Sequence, residues 1–139
     1  MTELLQHKHL ILRALVEKPF NDVEAAKQWL VTIIESIGMK VATSPTLIEN
    51  PIGFYCDTPG NQGLTAIGIL ETSHIAIHFW DNVSPAVVHF DLYSCSDFDV
   101  SQIVEFLAPL GIVELRGKFL DREENLPILE CGGEHGRAA

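Results

Sequence analysis

The sequence predicts an α+β fold, a two-layer sandwich in which two helices pack on one face of an antiparallel sheet, and three observations carry that prediction. Two stretches place apolar residues at helical spacing behind a capping residue. Between them, Lys40 to Cys95 is a succession of short runs rich in β-branched and aromatic residues, broken by Pro, Gly, Asn and Asp clusters. Finally, no internal repeat or linker divides the 139 residues, a length that supports one hydrophobic core, so residues 1–139 are read as a single domain.

Residues 9–16, HLILRALV, read as the first strand. Asn21 and Glu24 in NDVE form a capping box. The helix that follows carries Ala26, Leu30, Ile33 and Ile37 along one stripe, with Trp29 beside it, and Gly38 supplies its stop. Strands are then expected at KVATSPTLIE (40–49), IGFYC (52–56), LTAIGIL (64–70), SHIAIHFW (73–80) and AVVHFDLYSC (86–95). Asp99 and Gln102 repeat the capping pattern ahead of a shorter helix with Val100, Ile103 and Leu107 on its buried side, ended by Pro109 and Gly111. A last strand, IVELRGKFL (112–120), precedes a polar tail, ILECGGEHGRAA, expected to fray. Helices on one face leave the other face either solvated or covered by a second copy of the chain.

Nineteen acidic against nine basic residues give a net charge of −10, and the basic residues are scattered, so nucleic acid is not an expected partner. MTELLQHKHL lacks the features of a secretory signal, and no apolar run reaches the length of a membrane span, so a cytoplasmic protein without membrane association is expected. Cys56, Cys95 and Cys131 are odd in number and widely spaced, which argues against a disulfide framework and a thiolate zinc site.

The run LETSHIAIHFW holds a serine, two histidines and a tryptophan in a strand-like stretch. Strict alternation puts His74, Ala76, His78 and Trp80 on one face, and Ser73, Ile75, Ile77 and Phe79 on the other. In the next strand His89, Asp91, Tyr93 and Cys95 share a face, and a hairpin at DNVSP would merge the two polar faces into one patch. Three readings stay open from the residues alone. The patch is a solvated outer face; or His74, His78, His89 and Asp91 ligate zinc or iron; or Ser73 and Cys95 serve nucleophilic and proton-transfer chemistry.

SHIAIHFW followed by VVHFDLYSC resembles the hallmark of the short prokaryotic class of S-adenosylmethionine decarboxylase: a Ser-His pair, a second His four residues after the first, a Trp, and then Asp-x-x-x-Cys. The likeness extends over most of the chain. It implies a self-made cofactor. Ser73 attacks the carbonyl of the preceding residue, the chain is cut between Thr72 and Ser73, and Ser73 becomes a pyruvoyl group heading residues 73–139. That ketone forms a Schiff base with the substrate amine and acts as an electron sink while carbon dioxide leaves. The resemblance gives His78 and Thr65 to self-processing, Cys95 to returning a proton to the substrate, and Trp80, Asp81 and Ile75 to substrate binding; it assigns no metal. It also implies a homodimer.

Two positions depart from the family pattern. Where the family has Glu-Ser-His, this chain has Glu71-Thr72-Ser73-His74, and the Pro-Glu after the tryptophan is replaced by Asp81-Asn82. The first change motivates an alternative, an unprocessed member that binds a ligand or regulates a partner without catalysis. The second leaves room for a pyruvoyl decarboxylase of another amino acid, such as arginine or ornithine. Ser73 and His78 are five residues apart, which places them on opposite faces of a regular strand, so a shared mechanism requires a bend or bulge at Ser73.

Overall fold

The computed structural model describes residues 6–129. Its elements run β1 (Lys8–Val16), α1 (Val23–Ser36), β2 (Ile52–Cys56), β3 (Gly63–Leu70), β4 (Ser73–Trp80), β5 (Ala86–Ser94), α2 (Val100–Leu107), a 3-10 turn (Ala108–Leu110), β6 (Ile112–Asp121) and β7 (Ile128–Leu129). All strand pairs are antiparallel, in the order β2-β3-β4-β5-β1-β6-β7. The strand β1, first in sequence, is thus inserted between β5 and β6.

Alternation decides which side of each strand is buried. Leu10, Leu12, Ala14 and Val16 of β1 and Val88, Phe90 and Leu92 of β5 face the same core as Ile75, Ile77 and Phe79 of β4. Against this face lie Ala26, Leu30, Ile33 and Ile34 of α1 and Val100, Ile103, Val104 and Leu107 of α2. The Trp29 ring meets Phe90 edge-on at 6.2 Å and donates its indole N–H to the Phe106 carbonyl, tying α1 to both sheet and α2. The architecture is the expected α+β sandwich, with both helices on one face.

Three local expectations are corrected. The α1 cap is Asp22, not Asn21: Asp22 is in extended conformation and its carboxylate accepts from the Glu24 N–H, while Glu24 turns to Lys27. Residues 40–49 form no strand, only two isolated bridges, Val41 to Leu70 and Ser44 to Leu47. The prolines at 45 and 51 remove donors there, and the Asn50 side chain takes over the edge of β3, accepting from Ile69 N–H and donating to the Ile69 and Ala42 carbonyls. Part of the tail is ordered, since Ile128 and Leu129 pair with Leu120 and Phe119; Cys131 and the rest of the tail lie outside the described residues.

Among the described residues no helix covers the second face of the sheet. Along it run Ile69, His74, Tyr93 and His9 in one cross-strand row, Ile67, Ala76, Asp91, Ile11 and Lys118 in the next, and Thr65, His78, His89, Arg13 and Arg116 in a third.

Candidate active site

The DNVSP hairpin between β4 and β5 merges the two polar faces as the alternation implied, with His74 opposite Tyr93, Ala76 opposite Asp91 and His78 opposite His89. Ser73 does not join them. It is the first residue of β4, paired in register with Leu70, and its side chain points to the helix-covered side with only 6% of the residue exposed. No bulge interrupts the pairing. The expected bend is instead the two-residue turn Glu71-Thr72 just before it.

That turn is strained at one residue. Thr72 has φ 53°, the left-handed region that L-residues, and β-branched ones most of all, avoid. Its hydroxyl donates to the Glu71 carbonyl at 2.7 Å. The Ser73 Oγ accepts the backbone N–H of Cys95 at 3.0 Å, and the Cys95 thiol donates to the Glu71 carbonyl at 3.7 Å. Hydrogen bonding to the hydroxyls of Thr72 and then Ser73 holds the thiol below its ordinary value, outweighing the burial that opposes it. Residues 71–73 and Cys95 therefore form one cluster at the end of the β3–β4 hairpin. It contains a hydroxyl beside a strained peptide and a thiol beside that hydroxyl.

His78 and Thr65 form a second cluster, on the uncovered face. They are opposite each other across β3 and β4, and Thr65 Oγ1 lies 2.9 Å from His78 Nδ1. Burial, with the neighbouring His89 ring, pushes the His78 imidazole below its ordinary 6.5. At about 3.3 Å of rise per residue, roughly 16 Å of strand separates Ser73 from His78, so the chain does not bring these two together.

Trp80 and Asp81 stand further along, at the opposite end of β4. The Trp80 ring meets His89 edge-on at 4.8 Å and its N–H donates to the Asn61 side chain at 2.9 Å. Both Asp81 carboxylate oxygens accept from the Tyr55 hydroxyl, at 3.0 and 2.9 Å. A shallow cavity of about 280 Å³ opens here, lined by Gly60, Trp80, Asn82, Val83, Val87 and His89. Gly63 keeps β3 close at this point, for at its φ of 152° a Cβ would sit 1.8 Å from the Phe79 carbonyl oxygen. Ile75 has no exposed surface and packs in the core, its backbone opposite Gly68 and Leu92.

Of the histidine patch, only His74 and Asp91 converge, and their third partner is His9 of β1. His78 and His89 pair with each other one step along the sheet, beside the Trp80 ring. Burial opposes ionisation of Asp91, but the His9 and His74 rings hold its carboxyl below the ordinary range. The reading of the β4 and β5 runs missed His9 because it lies more than sixty positions away in sequence. The alternation of His9, Ile11 and Arg13 against buried Leu10 and Leu12 was the available signal.

Among the described residues no helix is long and apolar enough to cross a membrane. Two archaeal proteins named S-adenosylmethionine decarboxylase proenzyme are similar to this chain. The protein of Methanococcus vannielii is 24% identical over 133 residues, covering 91% of this chain and 99% of its own length. That of Methanococcus maripaludis is 22% identical over 131 residues, covering 89% and 98%. The crystal structure of the adenosylmethionine decarboxylase from Aquifex aeolicus superposes with a TM-score of 0.60 at 16% identity, covering 88% of this chain and 98% of that one, a likeness of fold. The family model for S-adenosylmethionine decarboxylase matches residues 8–121, the span from the first strand to the end of β6, and the chain belongs to that family.

Proposed function

We propose that the protein is a pyruvoyl-dependent decarboxylase of S-adenosylmethionine, self-processed between Thr72 and Ser73, that supplies aminopropyl donors for polyamine synthesis in the cytoplasm. One observation carries the reading: the Ser73 hydroxyl, the strained Thr72 peptide and the Cys95 thiol occupy one cluster. The proenzyme names of the archaeal relatives support the processing step.

In processing, Ser73 Oγ adds to the Thr72 carbonyl carbon and the Thr72–Ser73 C–N bond breaks, turning amide into ester. Loss of the Ser73 α-proton then expels the Thr72 carboxylate, and water releases ammonia from residue 73. The Cys95 N–H fixes the Oγ beside the turn, and the left-handed Thr72 stores about 1–3 kcal/mol that cleavage of its peptide releases. The pyruvoyl group so formed supplies a ketone that takes up the electrons left behind when carbon dioxide departs. Cys95, adjacent to that position, returns the proton; its thiol is held below its ordinary value by hydrogen bonding to the Thr72 and Ser73 hydroxyls.

Trp80 and Asp81 are the proposed contacts for the remainder of the substrate. From Ser73 to Trp80 the strand runs roughly 23 Å, further than one small substrate spans. One chain therefore does not bring both groups to such a molecule; separately, the apolar residues exposed on the helix-free face are our reason for proposing a homodimer closed through it. Ile11, Ile67 and Ile69 are 39–49% exposed on that face.

Release of carbon dioxide from carboxyl-labelled substrate tests the proposal. Release from S-adenosylmethionine, abolished by a carbonyl reagent, is expected. Release from arginine or ornithine alone would move the activity to another amino acid. One observation favours a second reading, an unprocessed ligand-binding or regulatory member: His78 and Thr65 lie on the face opposite Ser73. That reading takes over if none of the three substrates reacts and the chain stays whole.

A further inference from the structure

Three side chains on the helix-free face converge on a point that the proposed reaction does not use. His9 of β1 and His74 of β4 flank Tyr93 of the intervening β5, each directly opposite it. Asp91, two residues before Tyr93 on the same face, reaches diagonally back between the two rings. His9 Nε2 is hydrogen-bonded to Asp91 Oδ1, and His74 Nε2 lies 3.6 Å from the same oxygen. One ligand atom from each of the three falls within 4.8 Å of the other two. Ser73, although next to His74 in sequence, faces the other side of the sheet.

The rings are held from several directions. His9 meets His74 edge-on at 5.8 Å and Tyr93 at 5.7 Å, and its side chain is only 14% exposed. Arg122, stacked over Tyr93 at 4.7 Å, places a guanidinium nitrogen 3.0 Å from His9 Nδ1. Within one chain His74 and Asp91 are more open, with 42% and 38% of their side chains exposed, which leaves room for a further ligand. Three strands of one sheet thus present two imidazole nitrogens and one carboxylate oxygen to a single point. That is the donor set of borderline divalent ions, zinc, cobalt(II) and iron(II), in sites that keep a position open; magnesium and calcium prefer oxygen donors alone.

We propose that His9, His74 and Asp91 form a binding site for a divalent transition-metal ion, separate from the Ser73 cluster. The metal-free state is a hydrogen-bonded chain. Arg122 donates to His9 Nδ1, so His9 carries its proton on Nε2 and gives it to Asp91. An ion at Nε2 shifts that proton to Nδ1, where it opposes the guanidinium N–H. Arg122 must then withdraw, so it weakens metal binding.

Titration of tag-free, chelator-treated protein with cobalt(II), followed in the visible, tests the site. The expected result is one cobalt per chain with the intense bands of four- or five-coordination, displaced by an equivalent of zinc. His74→Ala and the near-isosteric Asp91→Asn should each weaken binding by at least about tenfold, with far-ultraviolet circular dichroism unchanged. His89→Ala, on the same face but outside the site, should leave it intact. Arg122→Ala should bind more tightly than the parent, and equal or weaker binding would overturn the assignment of His9 as a ligand. Absence of the bands, or bands that survive both His74→Ala and Asp91→Asn, would overturn the site.

Discussion

At the turn before β4, a single residue decides how the chain is poised. Thr72 departs from the family's glutamate and adopts φ 53°, a conformation that glycine takes at no steric cost. Replacing it by glycine should stabilise the uncleaved chain by about 1 kcal/mol, read as a higher urea midpoint, and slow cleavage in a time course on gels. Thr72→Glu, which restores the family pattern, should speed it. Cys95→Ala should still be cleaved but lose about 10²–10⁴-fold in turnover, measured as carbon dioxide release. His78 makes a prediction in pH. Burial lowers its value in the folded chain below the ordinary 6.5, so between the two values the unfolded chain holds more protons. Stability contributed by a neutral His78 is therefore lost as pH falls through 6.5. Urea midpoints at pH 7.5 and 5.5 should differ more in the parent than in His78→Gln. Most of these residues were legible in the sequence as a motif with spacing. The strain at Thr72 was not, because a backbone angle is set by the hairpin that closes around it.

Among the elements, period alone identified both helices and most of the strands. The stripe Ala26, Leu30, Ile33 is fully buried, Ile34 joins it, and Ile37, at the helix C-cap, packs against the core half-buried. Leu30→Ala should cost about 2–5 kcal/mol, measured by denaturant unfolding. Residues 40–49 misled the reading because Val41, Thr43, Thr46 and Ile48 look like strand formers, whereas hydrogen bonding there is settled by a side chain, Asn50. Asn50→Leu should accordingly destabilise the chain by about 0.5–1.5 kcal/mol in the same assay, since it removes the partner of the Ile69 N–H while the Ile69 carbonyl keeps the Ala42 N–H. The β4–β5 register was legible from alternation and the DNVSP turn. The convergence of His9 on Asp91 was not, for it depends on β1 crossing to the middle of the sheet, a long-range pairing that no local pattern encodes.

For the whole molecule, topology determines what self-cleavage does to the fold. A cut between Thr72 and Ser73 leaves β1, α1, β2 and β3 in one piece and β4, β5, α2, β6 and β7 in the other. The pieces interleave, because β1 pairs with β5 and β6 on its two sides while β4 stays paired with β3. They should therefore co-elute as one particle under native conditions and separate only in denaturant. Sedimentation should give twice the chain mass, and Ile11→Asp, which places a charge on the helix-free face, should reduce it to one. The proposed function turns on the fate of the Thr72–Ser73 peptide, which the intact mass of freshly purified protein in denaturant reads out. Two fragments divided at that bond are expected, the one beginning at residue 73 blocked at its N-terminus by a carbonyl. A single full-length mass that persists on incubation would contradict the proposed function.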